Sequence, residues 1–477
     1  MSTRRLALKQ LSALTAGALA GGFPGKARAQ QSGARSEAVL SYDAHTPVVK
    51  TSAGAVRGYI RNRIHTFKGI PYGETTAGKN RFMPPVPRTP WTGVFPAVAY
   101  GYACPQIHGK DWANPESHFL FNYDVGEMDE DCLRLNVWTQ GLDAGKRPVL
   151  VWIHGGGYTN GSSFEMIPYD GENICRRGDI VFVSVNHRLN VLGFLDLSGV
   201  GGAAFAPSAN AGMLDLAAAL EWVRDNIAQF GGDPGNVTIC GQSGGGAKVN
   251  TLMAMPAARG LFQRGIVQSG SLSLYRAPAN SRAAGDRLAE KLHVNRDSIA
   301  TLQTLPYGEL MAAATSVIAE LNRSEGGAGI MGRFGWSPTA DGTVVTGKPA
   351  VGDGPELSAG IPLIVGYTRN EMSTSAFDPS AGNLTEAEVR RRLERTYPGK
   401  SAALLEAFRA DYPSAGWPEL YSMAASMFFA NGSIRQVEER ARLKPTPVYA
   451  YRFDWRPDIR NGNLGAFHSL DIAFTFD

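Results

Sequence analysis

The sequence feature that most constrains the fold is the segment 241–245, Gly-Gln-Ser-Gly-Gly, which fits the pattern G-x-S-x-G. The apolar run 237–240 before it predicts a strand, and residues 247–253 after it predict a helix. On a tight strand-to-helix turn, side chains in place of the two outer glycines would collide with the neighbouring strand and helix. The turn presents the hydroxyl of Ser243 above a sheet at a helix N-terminus, where the dipole favours developing negative charge. The segment therefore predicts a nucleophile rather than a serine in an ordinary glycine turn.

Strand-like and helix-like segments alternate along the chain. Strand-like runs lie at residues 48–50, 54–58, 64–67, 133–139, 149–154, 180–186, 237–240, 363–366 and 448–453. Helical spacing of apolar residues lies at 214–230, 282–292 and 307–321. Such alternation implies an α/β fold with a central, mostly parallel twisted sheet and helices on both faces. The three short strands nearest the N-terminus predict a small antiparallel edge, and the looser stretch 280–360 predicts a helical insertion.

The composition is that of a folded and nearly neutral chain. Hydrophobic residues make up 43% of the 477 residues and charged residues 19%, which excludes a disordered protein. The formal charge is +4, but residues 1–29 hold five basic residues and no acidic one, so the rest is close to neutral. The chain has no basic stripe and no interleaving of basic with aromatic residues. These features exclude nucleic acid as a partner.

The first 29 residues have the features of an export signal. Arg4 and Arg5 precede a mildly apolar run at 11–23, and a small-x-small cleavage site follows at 27–29. The run is too short and too rich in Gly, Ser and Thr for a membrane span of about 20 apolar residues, so we expect no stable membrane insertion. The paired arginines resemble a twin-arginine leader. We therefore expect a periplasmic or secreted protein with a single domain at 30–477; the alternative is a frayed N-terminal helix.

Four cysteines would lie in an oxidising compartment: Cys104, Cys132, Cys175 and Cys240. Cys104 and Cys132 flank a segment that contains Pro, Asn and Gly and is typical of an exposed loop. Cys175 lies in a predicted helix and Cys240 ends a predicted strand, where both would be buried small hydrophobes. We therefore predict a Cys104–Cys132 disulfide, with four free thiols as the alternative.

A glycine-rich segment, 154–157 (His-Gly-Gly-Gly), follows the predicted strand at 149–153. Glycines there let backbone N–H groups approach a substrate, without a Cβ in the way, and stabilise an oxyanion. The N–H groups of Gly156, Gly157 and Gly244 are the candidate donors. A phosphate-binding loop is the competing interpretation, but the segment lacks G-K-[ST] and the G-x-G-x-x-G spacing.

A serine nucleophile also needs a base, and an acid that orients the base. In the chain order serine, acid, histidine, only His293 and His468 of the eight histidines follow the serine. His293 lies near the end of a charged helix, whereas His468 lies in a glycine-containing loop after a predicted strand. The acid would follow an intervening strand, and the candidates are Glu371, Asp341 and Glu356. From the residues alone, Glu371 and His468 compete with a surface charge and a packed histidine.

Taken together, the motifs resemble the type B carboxylesterases, a family of α/β-hydrolases that is similar to the cholinesterases. The resemblance covers most of the chain from about Val48, and so many linked motifs in one order are highly specific. The matching segments are 67–73 (FKGIPYG), 81–82 (RF), 91–94 (WTGV), 130–137 (EDCLRLNV), 152–158, 186–189 (NHRL), 219–230, 231–237 (GGDPGNV) and 241–245.

The resemblance implies a catalytic triad and an oxyanion hole. The triad would consist of Ser243 as nucleophile, Glu371 as acid and His468 as base. The oxyanion hole would consist of the N–H groups of Gly156, Gly157 and Gly244. The chain ends at Asp477, nine residues after the histidine, where relatives usually continue into a C-terminal helix. This predicts either a C-terminal fragment or the loss of a covering helix.

The resemblance also bears on three structural features. It supports the Cys104–Cys132 bridge. It suggests that Glu130 pairs with Arg188 in an ion pair beneath the site, with two separate surface charges as the alternative. Cholinesterases carry Glu before the nucleophile, whereas this chain has Gln242. Turnover of choline esters is therefore disfavoured.

We expect a carboxylic ester hydrolase that acts through an acyl-enzyme intermediate on a small-molecule ester. One alternative is a non-catalytic, cholinesterase-like binding or adhesion module, which the presence of all three triad residues disfavours. The other is an amide or carbamate hydrolase with the same triad. The sequence has no H-E-x-x-H and no paired C-x-x-C, so we expect no metal and no organic cofactor. The acyl and alcohol preferences and the oligomeric state stay open.

Overall fold

The structure, a computed structural model, describes residues 39–107, 123–272, 275–324, 335–347, 356–373, 376, 382–442 and 446–476. The export signal predicted at 1–29 lies outside these residues. Every helix within them falls short of the length or the apolar character that a membrane span requires.

Among the described residues, ten of thirteen strands form one large sheet. In chain order the strands are β1 (Leu40–Ser41), β2 (Val48–Lys50), β3 (Ala55–Arg57), β4 (Tyr59–Arg61), β5 (Ile64–Pro71), β6 (Val94–Pro96), β7 (Arg134–Thr139), β8 (Arg147–Ile153), β9 (Val181–Val185), β10 (Gly232–Gln242), β11 (Arg264–Gln268), β12 (Leu363–Thr368) and β13 (Val448–Phe453). Their order in the large sheet is β1-β4-β5-β7-β9-β8-β10-β11-β12-β13, and β2, β3 and β6 form a separate small sheet.

The large sheet has a parallel part and an antiparallel part. From β9 through β8 to β13, every neighbouring pair is parallel. From β1 through β4, β5 and β7 to β9, every pair is antiparallel. All five residues of β9 are buried, as expected for a strand covered on both faces. The predicted α/β fold is confirmed. Of the three strands predicted for the antiparallel edge, only the one at 64–67 (β5) lies in the large sheet, because β2 and β3 belong to the small sheet; β1, β4 and β7 complete the edge.

The α-helices are numbered in chain order over the described residues. They are α1 (Glu172–Gly178), α2 (Asn190–Phe194), α3 (Ser198–Gly201), α4 (Ala211–Asn226), α5 (Gly244–Leu252), α6 (Pro278–Lys291), α7 (Ala300–Thr304), α8 (Tyr307–Ser324), α9 (Glu386–Thr396), α10 (Ser401–Asp411), α11 (Trp417–Ala425), α12 (Met427–Arg442) and α13 (Asp471–Phe476). Helices α6 and α8 lie where the sequence predicts them. Strand β11 and helices α9 to α12 were not predicted.

Strand β8 shows how the core divides between the two faces of the sheet. Successive side chains of a strand point to opposite faces. Accordingly, Val151 belongs to the apolar cluster that includes Leu220 of α4, whereas Trp152 belongs to the cluster that includes Phe476 of α13. The rings of Trp152 and Phe476 pack edge to face with their centroids 4.8 Å apart. Helices therefore cover the parallel strands on both faces.

The parallel strands bring all the predicted site segments to one edge of the sheet. The glycine segment follows β8, Ser243 follows β10, Glu371 follows β12, and His468 lies in the connection after β13. Because parallel neighbours end at the same edge, residues distant in sequence meet there.

Candidate active site

Ser243 has a strained backbone, as the motif predicts. Its φ is 56° and its ψ is −122°, and its N–H donates to the carbonyl oxygen of Gln268 at 2.7 Å. A Cβ on Gly241 would lie under 3.0 Å from the backbone of Gly245, and a Cβ on Gly245 would lie under 3.0 Å from the carbonyl oxygen of Ile153. Real Cβ atoms essentially never approach backbone so closely. The turn therefore requires glycine at both positions.

The three candidate oxyanion donors lie at the start of α5. Gly156 and Gly157 both have positive φ, 77° and 64°, which glycine adopts at no steric cost. A Cβ on Gly244 would lie under 3.0 Å from the amide nitrogen of Gly157, so the glycine segment passes directly over the serine turn. The structure thus brings together the backbone of all three residues.

Glu371 and His468 are in direct contact. The Glu371 side chain is fully buried; its Oε1 accepts the N–H of Thr368 at 2.8 Å, and its Oε2 lies 2.5 Å from Nδ1 of His468. The other ring nitrogen, Nε2, lies 3.4 Å from the side-chain amide nitrogen of Gln242, the residue before Ser243. The acid therefore holds one nitrogen of the imidazole, and the other nitrogen faces the serine turn.

Two loops carry the acid and the base, and hydrogen bonds join them. The N–H of Asn370 donates to the carbonyl oxygen of Ala466 at 2.9 Å, and the side-chain oxygen of Asn370 accepts the N–H of Ala466 at 3.1 Å. Gly465, at a φ of 65°, leaves no room for a Cβ beside the Asn370 side chain. The bonds of one asparagine thus set the distance between Glu371 and His468.

The competing candidates lie elsewhere. His293 is exposed just beyond the end of α6. The Oδ1 of Asp341 accepts the backbone N–H groups of the following turn, and its Oδ2 accepts the amide of Asn210, so it closes a turn. The side chain of Glu356 lies outside the described residues. No cluster of three or more potential ligands has a metal-binding arrangement within the described ranges.

The sequence did not single out Asp471, a second buried carboxyl close to the acid–base pair. It begins α13, three residues after His468, and its Oδ2 accepts the hydroxyl of Tyr451 at 2.8 Å. Burial, reinforced by the charge of Glu371, raises the pKa of Asp471 to about 6. A carboxyl three residues after the candidate histidine was the available signal.

Lys248 was also missed. It lies in α5 with no exposed surface, and its Nζ donates to the carbonyl oxygens of His154 and Gly155 at 3.0 and 3.3 Å. Burial lowers the pKa of Lys248 to about 7. The signal was a single charged residue within the otherwise uncharged run 244–255.

The predicted ion pair between Glu130 and Arg188 is wrong. Glu130 accepts a forked pair of hydrogen bonds from Arg81, one of them at 2.8 Å, and Arg188 forms a forked pair with Asp215 at 2.8 and 2.6 Å. All four side chains are buried. A guanidinium fork occupies both oxygens of one carboxylate, so each arginine takes its own partner.

All four cysteines are free thiols in the structure, and all four are buried. The predicted Cys104–Cys132 disulfide is absent from it, but the two thiols are adjacent: hydrogen bonding with Cys104 and burial raise the pKa of Cys132. Sγ of Cys104 also accepts the N–H of Leu189 at 3.2 Å. The two cysteines of the predicted pair are therefore neighbours in the structure.

A family model described as "Carboxylesterase family" matches residues 45–477, which is most of the chain. The chain belongs to this family. The phenmedipham hydrolase of Pseudarthrobacter oxydans is 34% identical over 90% of this chain and 82% of its own length. The para-nitrobenzyl esterase of Bacillus subtilis is 35% identical over the same shares.

The solved structures agree with the sequence relatives. An esterase from anaerobic Clostridium hathewayi that can hydrolyze aliphatic aromatic polyesters superposes with a TM-score of 0.78 at 38% identity, over 92% of this chain and 84% of its own. The fold is therefore that of the α/β-hydrolase carboxylesterases, and the chain is a carboxylic ester hydrolase of the serine hydrolase class. The alternative of a non-catalytic binding module is not favoured.

Proposed function

We propose that the carboxylesterase hydrolyses its substrate through an acyl-enzyme in which Ser243 is the nucleophile, His468 the base and Glu371 the acid. The observation that carries the proposal is the 2.5 Å contact between Oε2 of Glu371 and Nδ1 of His468, with Nε2 of the same ring beside residue 242. A buried carboxylate that accepts Nδ1–H leaves the lone pair on Nε2, which is the tautomer that a general base requires.

The steps follow from these positions. Nε2 of His468 takes the hydroxyl proton of Ser243 as its oxygen attacks the ester carbonyl, and the imidazolium returns that proton to the departing alcohol. Water then attacks the acyl-serine. Its proton passes through the same nitrogen to the serine oxygen as the carboxylic acid product is released. Glu371 stabilises the imidazolium in both halves of the reaction. No step requires a metal or an organic cofactor.

The oxyanion of both tetrahedral intermediates would bind to the N–H groups of Gly156, Gly157 and Gly244. These groups lie at the start of α5, where the helix dipole adds to the stabilisation of negative charge. Preorganised donors of this kind contribute about 3–4 kcal/mol each to lowering the barrier.

The experiment measures nitrophenol release from p-nitrophenyl acetate and butyrate by the full chain and by S243A, H468A and H293A. We expect a burst of nitrophenol stoichiometric with enzyme, loss of more than about a thousandfold in kcat for S243A and H468A, and unchanged kcat for H293A. H293A is the matched control because it removes the rejected histidine. Full activity of S243A would overturn the proposed mechanism.

We propose that the substrates are small-molecule esters, and the relatives suggest the first panel. A p-nitrobenzyl ester, phenmedipham and an aliphatic aromatic polyester follow the names of the three similar proteins. Comparing kcat/KM across the panel, and against an anilide of the same acyl group, separates ester from amide cleavage. Because Gln242 is uncharged, a choline ester should gain nothing over its neutral isostere. Faster turnover of the choline ester would contradict this.

We also propose that residues 1–29 direct export and that Cys104 and Cys132 are oxidised to a disulfide after it. The two thiols would lose two protons and two electrons to a disulfide oxidant, which is reduced to two thiols. The adjacency of the thiols supports the pairing. Cell fractionation with and without residues 1–29 tests export. Non-reducing mass analysis of the exported chain and of C132S tests the bridge, and four free thiols in the exported protein would contradict it.

A further inference from the structure

We infer that Lys248 is a positioning residue for the oxyanion hole. By binding carbonyl oxygens of the glycine segment, Lys248 holds the peptide unit that contains the N–H of Gly156 in place. The inference rests on the proposed function, because it assigns a role relative to those donors. Lys248 does not contact the reacting atoms through any described interaction, so its effect passes through the backbone of the glycine segment.

The argument begins with the peptide units that Lys248 binds. Its Nζ donates to the carbonyl oxygens of His154 and Gly155 at 3.0 and 3.3 Å. The carbonyl of Gly155 and the N–H of Gly156 belong to the same planar peptide unit and point in opposite directions. Fixing the oxygen therefore fixes the direction of the N–H that is proposed to bind the oxyanion. The carbonyl of His154 does the same for the N–H of Gly155.

The glycine segment needs hydrogen bonds from outside the segment to hold its conformation. Gly156 and Gly157 have positive φ and no side chains of their own with which to hold their conformation. The carbonyl oxygen of Gly155 that Lys248 binds has a second neighbour, Nδ1 of His154, at 3.1 Å. A carbonyl that accepts from two donors is polarised, which strengthens its N–H as a donor.

The chain is also held four residues beyond the glycine segment, at Gly161. The side chain of Gln106 donates to the carbonyl oxygen of Gly161 at 3.0 Å and accepts the N–H of the same residue at 2.7 Å. Lys248 thus holds the chain just before Gly156 and Gly157, and Gln106 holds it after them.

The charge surroundings of Lys248 support a role toward the backbone. The charge of Glu165 opposes the lowering of the pKa of Lys248, but the hydrogen bonds described for its Nζ go to main-chain oxygens. His154 and His187, stacked at 5.0 Å, are buried, and burial and the charge of Lys248 hold both of their pKa values well below the usual range. A fully buried ammonium whose partners are two main-chain oxygens of one segment stabilises that segment.

The test compares K248M with K68M in the full chain. K248M removes the ammonium and keeps an unbranched apolar chain. K68M removes another buried ammonium, which has no described bond to the glycine segment. The ammonium of Lys68 lies 3.3 Å from Asp170, and this carboxylate still has Arg61 as a partner at 3.0 Å when Lys68 is replaced. Each variant is assayed for kcat and KM on p-nitrophenyl butyrate and for inhibition by a trifluoromethyl ketone, whose hemiketal adduct with the serine carries the oxyanion.

We expect K248M to lower kcat by about 10- to 100-fold with KM changed by less than about threefold, and to weaken ketone inhibition by the same factor as kcat. K248Q, which can still donate one hydrogen bond, should recover part of the loss. K68M should change neither quantity. Circular dichroism and thermal melting report whether each variant is folded.

Three results would overturn the inference. They are a folded K248M with kcat and ketone inhibition within about twofold of the parent, an equal loss in K68M, or failure of both K248M and K248Q to fold, which would make Lys248 a core residue. A failure of the proposed function is distinguishable, because it appears as activity of S243A with Lys248 intact.

Discussion

Ser243 lies on a turn enclosed by main chain, whereas Glu371 and His468 lie in two loops joined by the hydrogen bonds of one asparagine. Around the serine, a Cβ on Gly241, Gly244 or Gly245 would lie under 3.0 Å from the backbone of β8, α5 or the glycine segment, so there is no space for a side chain. Around the acid and base, a few hydrogen bonds set the geometry. The serine side therefore tolerates no added atom, and the acid–base side depends on individual polar contacts.

The largest effect that we expect is that of G245A. A Cβ there would lie under 3.0 Å from the carbonyl oxygens of Ile153 and His154, which belong to main chain that cannot move aside. We expect loss of folding or a fall of at least about a thousandfold in kcat, measured on soluble protein with p-nitrophenyl butyrate. Gly308 in α8 is the control, because it is exposed and a Cβ on it meets nothing within 4 Å. G308A should be neutral or slightly stabilising.

The next largest effect is that of E371Q, which tests the acid–base side without changing its volume. The amide would no longer stabilise the imidazolium and would favour the wrong tautomer of His468. We expect kcat to fall by about 10³- to 10⁴-fold while the unfolding midpoint changes little. D341N is the matched control, since Asp341 was the rival acid and only closes a turn. If D341N lost as much kcat as E371Q, the assignment of the acid would be wrong.

Asp471 allows a pH-dependent test of the same side. Its pKa is raised to about 6, so its ionisation destabilises the folded state increasingly as the pH rises from about 4 to about 6, and the full cost is present above that. D471N keeps an acceptor for Tyr451. We expect it to raise the free energy of unfolding by about 1–3 kcal/mol at pH 8 and by close to zero at pH 4, measured by urea unfolding.

The control for this experiment is E221Q, which neutralises an exposed carboxylate of α4. It should change stability by less than about 0.5 kcal/mol at either pH. A gain for D471N that is equal at the two pH values would contradict the ionisation argument.

The smallest effect is that of N370A. It removes the side-chain acceptor for the N–H of Ala466 but leaves the backbone hydrogen bond between the two residues. We expect a loss of roughly 1 kcal/mol in transition-state stabilisation, which is about a three- to tenfold fall in kcat at constant KM. N173A, at an exposed asparagine of α1 that accepts from Arg176, should leave kcat unchanged. Equal kcat values for N370A and the parent would show that the two loops are held independently of this bond.

The sequence predicted the serine side in detail because its constraints are local. The glycines, the strand before the serine and the helix after it lie within about twenty residues, and each has a direct steric reason. Even so, β10 begins at Gly232 and not at 237 as predicted. The earlier start was not predicted because Gly-Asp-Pro-Gly has the composition of a turn. Helix α9 was missed although Thr385 and Glu388 form a capping box, a signal that was present.

The acid–base side could not be predicted from local pattern. Three acids and two histidines satisfied the chain order, and the resemblance to a family, rather than spacing, selected Glu371 and His468. The predicted ion pair was wrong for the same reason, because the partners are distant in sequence. Arg81 and Glu130 are 49 residues apart, and Arg188 and Asp215 are 27 residues apart. Such pairings depend on how distant segments pack. The lone charge of Lys248 was a visible signal, but its partners are carbonyl oxygens 93 and 94 residues away along the chain, and these could not be inferred from it.

The distance along the chain between the two sides has a consequence for biosynthesis. Gln242, next to the nucleophile, and His468 are 226 residues apart. At roughly 5–20 residues per second, a ribosome finishes the serine turn about 10–45 s before it reaches the histidine. A nascent chain would thus carry a shaped serine turn without the group that activates it. Translation products interrupted before His468 should bind no acyl group, and esterase activity should appear only after this residue has been synthesised.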